Sequence, residues 1–225
     1  MSCVCNCFFC KEQRFSLNKS IGLPGESSII FEDENVFITP DIAPIIAGHF
    51  LIVSNEHITS FGNADKETTN SLNIAKEYIQ NSVFKGQKIL FFEHGAVIER
   101  TVACVDHAHI HVIPLTKDID IDGFLKERVP EFVTSQKIKV TENALRKCAV
   151  DKQPYILYQK SDEDAWYYPL DILLPQFFRL MIALVYDIKK PYDWRTSYAS
   201  EESKELFKKT LSLALPNSKI YFGGE

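Results

Sequence analysis

The segment His107-Ala108-His109-Ile110-His111-Val112-Ile113 constrains the fold more than any other part of this chain. Strict alternation has a period of two, and only a β-strand turns that pattern into two chemically distinct faces. Residues two apart on a strand share a face and stand about 6.6 to 6.8 Å from one another. Three imidazoles therefore line one side, while Ala108, Ile110 and Val112 are offered to a core on the other. A sheet with one apolar and one functional face is implied. Taken alone, the strand leaves two chemistries open: a tri-histidine metal site of the zinc-hydrolase kind, or nucleophilic catalysis by one imidazole held in place by its neighbours.

Elements on either side fit such a sheet. Ile29–Phe31 and Val36–Thr39 are short β-rich runs around Glu32-Asp33-Glu34-Asn35, and Gly48-His49 opens another strand, Phe50–Ser54. From Asp65 to Val83 the apolar positions Leu72, Ala75, Ile79 and Val83 recur at intervals of three and four, the spacing of an amphipathic helix. Lys88–Glu93 and the histidine strand complete a β-β-β-α-β-β order. The expected fold is therefore α+β: a mostly antiparallel five-stranded sheet with helices, followed by a mixed, largely helical C-terminal extension. A shift to an acidic stretch, with Asp118, Asp120 and Asp122 before Gly123, divides the chain into residues 1–116 and 117–225. In the second part, Tyr155–Gln159 reads as a strand, and Ile172–Asp187 as a helix burying Phe177, Leu180, Met181, Leu184 and Val185. Glu201 to about Leu213 reads as a last helix, with acids in its first turn.

Composition narrows the function classes. The 225 residues are 45% apolar and 24% charged, an ordinary globular balance. A net charge of −5 argues against an extended nucleic-acid surface. The longest apolar stretch, Phe177–Tyr186, is interrupted by Arg179 and is too short to span a bilayer, and the N-terminus lacks the features of a signal peptide. The expected setting is the cytoplasm, without a membrane partner. There the four cysteines crowded at Cys3, Cys5, Cys7 and Cys10 read as metal ligands rather than disulfides.

Three motifs in order now carry a resemblance: Asp41-Ile42-Ala43-Pro44, then Gly48-His49-Phe50-Leu51-Ile52-Val53 with His57, then the alternating histidines. With Cys7-Phe8-Phe9-Cys10 they span about Cys7 to Pro114, and the segment resembles the histidine-triad superfamily of nucleotide hydrolases and transferases. The resemblance implies that His109 attacks the α-phosphorus of a nucleotide conjugate and becomes nucleotidylated, before water or another acceptor removes the nucleotide. It implies that His111 hydrogen-bonds a nonbridging phosphate oxygen, that His49 lines the phosphate site, and that Asp41 binds the ribose hydroxyls. It further implies a structural zinc on Cys7, Cys10, His57 and the first triad histidine, His107. Independent chemistry agrees on one point: with a reference pKa near 6.5, about three quarters of an imidazole is neutral and nucleophilic at pH 7.

The chain also departs from the family pattern. Relatives commonly carry glycine and glutamine followed by serine or threonine before the triad, where this chain has Val102-Ala103-Cys104-Val105-Asp106. On the preceding strand it has Glu93-His94-Gly95 in place of asparagine and glycine. Glu93 and Arg100 are accordingly grouped with the nucleotide-binding residues, Arg100 as a replacement phosphate donor. The extension offers Gln176 and Arg179 on the polar side of an apolar helix, together with Asp193-Trp194-Arg195. Gln176, Arg179 and Arg195 are expected to cap the site and act on the leaving group. The expected ligand is a small nucleotide conjugate, and a homodimer is compatible with this reading. Two rivals remain: a zinc-dependent hydrolase with the triad as metal ligands, and a catalytically weak nucleotide-binding or interaction module.

Overall fold

A computed structural model describes residues 7–95, 106–128, 137–161, 163–171 and 174–215. The elements, in order, are α1 (Ser16–Ser20), β1 (Phe31–Glu32), β2 (Val36–Pro40), β3 (Phe50–Ser54), α2 (Lys66–Tyr78), β4 (Lys88–Gly95) and β5 (His109–Leu115). There follow α3 (Ile121–Arg128), β6 (Ile138–Lys139), α4 (Glu142–Val150), β7 (Tyr155–Lys160), β8 (Trp166–Pro169), α5 (Phe177–Val185), α6 (Trp194–Ser197) and α7 (Glu201–Ala214). The helix read from Asp65 to Val83 is α2 capped by the Asp65 carboxylate, which accepts from the Thr68 N–H, and continued by one π-turn over Ile79–Val83.

The α+β class and the antiparallel sheet are as expected, but the strand count is not five. Among the described residues one eight-stranded sheet runs β1-β2-β3-β5-β4-β7-β8-β6, and every pairing is antiparallel. The extension supplies the last three strands. The physical reason lies in β4, where Leu90, Phe91, Phe92 and Glu93 are all buried. A strand buried on both faces cannot remain a solvated edge, so its free backbone groups are paired by β7. Residues beyond 116 thus continue the sheet that holds the histidines. Among the described residues no helix is long and apolar enough to cross a membrane.

Register assigns the faces. Leu51 and Phe92 both pair with His111, so they share its side, together with Val53 and His109. On the opposite face Ile38, Ile52, Phe91, Ile110 and Val112 pack against Leu72 and Ala75 of α2 and Cys148 of α4. The histidine face is covered at one end by Phe178, Met181 and Ile182 of α5 and at the other by Phe15 near α1. A cleft remains between these covers.

The helix read over Ile172–Asp187 is shorter, and its buried set is broader than one stripe. Phe177, Phe178, Arg179, Met181, Ile182 and Ala183 are buried, whereas Leu184 is 49% exposed. Ile172 lies outside the described residues. Gly48 is required where the chain enters β3. It has φ of +88°, and a Cβ there would stand 2.8 Å from Pro114 Cγ and 3.1 Å from Phe84. A left-handed backbone costs about 1 to 2 kcal/mol and overpacking about 1 to 3 kcal/mol. Gly48→Ala should therefore lose about 2 kcal/mol or more, which denaturant unfolding would measure; an unchanged midpoint would contradict the packing described.

Candidate active site

Hydrogen-bond direction fixes the tautomers of His49, His111 and His109. The Ile45 N–H donates to His49 Nδ1 at 3.2 Å, so the proton of a neutral His49 sits on Nε2. That Nε2–H faces His111 Nδ1 at 2.8 Å, which makes His111 Nδ1 an acceptor and places the His111 proton on Nε2. Burial holds both rings neutral: it drives His49 down to about 3 and His111 well below its usual value. His111 is fixed in plane by stacking on Phe92 at 4.5 Å and 13°, and Phe92 stacks in turn on Phe178 at 4.4 Å.

His109 is arranged differently. Its Nδ1–H donates to the carbonyl oxygen of His107 at 2.6 Å, leaving Nε2 with a free lone pair. Burial also lowers its proton affinity, opposed by that hydrogen bond and by the Asp41 charge. The result is a neutral imidazole with one unprotonated nitrogen at the cleft, beside a second imidazole that offers an N–H.

Asp41 underlies this pair. It is buried at 4% exposure, with Oδ1 accepting the Ala43 N–H at 2.7 Å and Oδ2 accepting from Arg179 at 3.0 Å. Oδ2 also stands 3.4 Å from His49 Nε2 and 3.7 Å from His111 Nδ1. Asp41 titrates below the usual carboxylate range: burial alone would raise it, but His49, Arg179 and the Ala43 N–H together outweigh that.

The cleft holds about 800 Å³ of empty space, its open mouth included. Its lining includes His109, His111, His94, Asp41, Gln176 and Arg179. Phe8, Phe9, Phe15, Leu51, Ile42 and Trp194 add an apolar and aromatic wall. Chemically this is a polar end carrying imidazoles and a carboxylate, joined to a wall suited to a planar ring.

Most residues expected from the sequence meet here. Gln176 lines the cleft and also accepts the Trp194 N–H on its Oε1 at 3.0 Å, so it holds the tryptophan in place. Arg179 is buried at 2% exposure, not on a polar helix face. Two further expectations differ, and one lies outside the described residues. Arg195 is exposed and does not line the cleft; Trp194 does. Arg100, like Cys3, Cys5 and Cys104, lies outside the described residues. Glu93 lies on the other face, because β4 alternates and Phe92 shares the side of His111. Its carboxylate accepts from the Phe61 N–H at 2.8 Å and the Tyr155 hydroxyl at 2.7 Å. His94, one residue on, takes the cleft position instead. The Phe178 N–H points at its Nε2 from 3.5 Å. Strand parity relative to His111 would have found it, once the β4–β5 register was known.

Burial pushes Glu93 up to about 7, against the pull of its two hydrogen bonds and of Lys76. An unfolded glutamate titrates near 4.3, so the folded chain binds this proton more tightly, and stability falls as pH rises from about 4.5 to about 7. Glu93→Gln should flatten that part of the stability profile, measured by urea unfolding across the range, and leave nucleotide affinity unchanged. An unaltered slope would show that the carboxyl is ionised in the fold.

Beside the cleft, Cys7, Cys10, His57 and His107 place four ligand atoms within 4.8 Å of one another. Cys7 Sγ is 3.3 Å and Cys10 Sγ 3.9 Å from His107 Nδ1, and Cys10 Sγ is 3.2 Å from His57 Nδ1. A tetrahedral zinc with ordinary bond lengths requires sulfur–nitrogen edges of about 3.6 Å, so the donor set fits. His107 Nε2–H donates to the Ser54 carbonyl at 2.6 Å, which leaves Nδ1 as the available ligand atom. Asp41, His49 and His111 also converge, but they are hydrogen-bonded to one another and Arg179 already places a cation there. The three triad imidazoles do not share a point: His107 faces the thiols and His111 faces His49.

Comparison with known proteins identifies the family. The profile of the HIT domain, the histidine-triad domain, matches residues 25–118. An uncharacterised HIT-like protein of Borreliella burgdorferi is 32% identical over 126 residues, 53% of this chain and 80% of that protein. One from Methanocaldococcus jannaschii is 30% identical over 137 residues, 54% of this chain and 97% of the other. Among solved structures, a HIT family hydrolase from Clostridium thermocellum is 24% identical, covering 53% of this chain and 99% of its own, with a TM-score of 0.39. The chain belongs to the histidine-triad family.

Proposed function

We propose that this protein is a nucleotide hydrolase or nucleotidyltransferase that acts at the α-phosphate of a nucleotide conjugate through a nucleotidyl-His109 intermediate. The observation that carries the reading is the paired tautomer state: an unprotonated Nε2 on His109 beside a donor N–H on His111. His109 Nε2 forms a bond to the α-phosphorus as the bond to the leaving group breaks. His111 Nε2–H stabilises a nonbridging oxygen, where charge reorganises. Water or another acceptor then attacks phosphorus and loses its proton to solvent, the nitrogen–phosphorus bond breaks with its electron pair returning to Nε2, and neutral His109 is restored with its Nδ1–H. Asp41 serves the ribose hydroxyls with its remaining lone pairs, and Phe8, Phe9 and Leu51 form the wall for the base.

Cys7, Cys10, His57 and His107 would hold a zinc of closed, structural type, which contributes folding energy and takes no part in the transfer. The two thiols and the orientation of His107 toward them favour this over a triad-liganded hydrolytic metal.

The test is turnover of dinucleoside polyphosphates and nucleoside phosphoramidates, with chromatography of the products. Release of mononucleotide with retention of configuration at a chiral α-phosphorus is expected of two successive displacements. Inversion would exclude the intermediate, and tight binding without turnover would favour a binding module.

A further inference from the structure

Arg179 belongs to the extension, yet its guanidinium reaches the centre of the site. NH1 donates to Asp41 Oδ2 at 3.0 Å, NH2 to the Ala43 carbonyl at 2.7 Å, and Nε to the Tyr192 carbonyl at 2.8 Å. Two of these acceptors lie in the connection between β2 and β3, and the third lies just before α6. The other cation in the neighbourhood, Lys190, donates to the Pro44 carbonyl and the Ser203 hydroxyl instead.

We infer that Arg179 is a positioning residue that acts through Asp41 to keep the His49–His111 pair in the one tautomer that presents the His111 Nε2–H to the cleft. The inference rests on the proposed function for its catalytic meaning. Its physical basis is competition for one proton. His49 Nε2–H has two acceptors near it, His111 Nδ1 at 2.8 Å and Asp41 Oδ2 at 3.4 Å. A buried carboxylate without a cation partner is a far stronger acceptor than a neutral imidazole. With Arg179 on Oδ2, much of that negative charge is already matched, and the His49 proton stays on the path to His111. Without it, the proton turns to Asp41, His111 Nδ1 loses its donor, and His111 is free to carry its proton on Nδ1. Its Nε2 would then meet a phosphate oxygen with a lone pair in place of a hydrogen.

This gives the extension a role that needs no contact with substrate. It differs from the sequence expectation that Arg179 grips the leaving group: all three of its nitrogens already have protein acceptors. A single buried arginine ties α5 to the β2–β3 connection and sets the direction of a hydrogen-bond chain ending at the cleft.

The test combines a mutant cycle with a direct readout of tautomers. Arg179→Gln should lower kcat at saturating substrate by about tenfold to a hundredfold, the range for loss of a charge-assisted hydrogen bond. In the Asp41→Asn background the same change should cost less than about twofold, because no carboxylate remains to compete. Arg179→Lys, which keeps the charge but not the fork, should fall between, and it replaces Arg179→Gln in the cycle if that variant does not fold. Imidazole 15N spectra of the full chain should show Nε2-protonated His49 and His111 in the wild type and altered His111 protonation in Arg179→Gln, at matched thermal stability. Equal losses in both backgrounds, or an unchanged His111 spectrum, would overturn the inference. The spectra need no turnover, so a failure of the proposed function would be seen separately, as a wild-type protein that processes no nucleotide conjugate.

Discussion

His109→Ala is expected to reduce kcat by at least about a thousandfold, a barrier increase of about 4 kcal/mol, while nucleotide affinity changes by less than about threefold. The asymmetry follows from where the side chain acts. In the proposed mechanism His109 contributes Nε2 to the chemical step, while the cleft wall and Asp41 remain in place, so the loss is expected in kcat and not in ground-state binding. Steady-state kinetics together with equilibrium binding of a mononucleotide would check it. Retention of more than about a tenth of wild-type kcat, only about 1.4 kcal/mol of barrier, would be incompatible with a covalent role.

The second large effect is on stability. Protein purified without a polyhistidine tag should carry about one equivalent of zinc, and replacing Cys7 and Cys10 together with Ser should remove it. Closed zinc sites contribute several kcal/mol of folding energy, and about 4 kcal/mol corresponds to a fall of about 8 to 16 °C in Tm for a chain of this size. Because Phe8 and Phe9 lie between these cysteines and line the cleft, KM should rise more than kcat per folded molecule falls. A metal-free protein of unchanged Tm would contradict this assignment.

Much of the site could be read from local pattern. The alternation from His107 to Ile113 specifies a two-faced strand because side-chain direction follows residue parity, and the structure places His109 and His111 on one face with Ile110 and Val112 on the other. What local pattern cannot supply is the partner of each strand. Tyr155–Gln159 reads as a strand, but its pairing with β4, which extends the sheet to eight strands, depends on β4 being buried on both faces. The same missing register hides the face on which Glu93 lies. A one-residue step decides which side chain enters the cleft, and His94 holds that position. The burial of Arg179 escapes local pattern for a different reason. Helical spacing puts Gln176 and Arg179 together, but it does not show that α5 is buried around most of its girth, so that an arginine within it must find acceptors inside the protein.

The proposed mechanism rests on one covalent bond. Wild-type protein quenched during turnover of a nucleotide conjugate and digested for mass spectrometry should yield a peptide carrying one nucleotidyl group on His109. The adduct should be acid-labile, as phosphoramidates are, and absent from His109→Ala. Turnover at full rate with no adduct, or an adduct on another residue that forms and decays at the catalytic rate, would contradict the account.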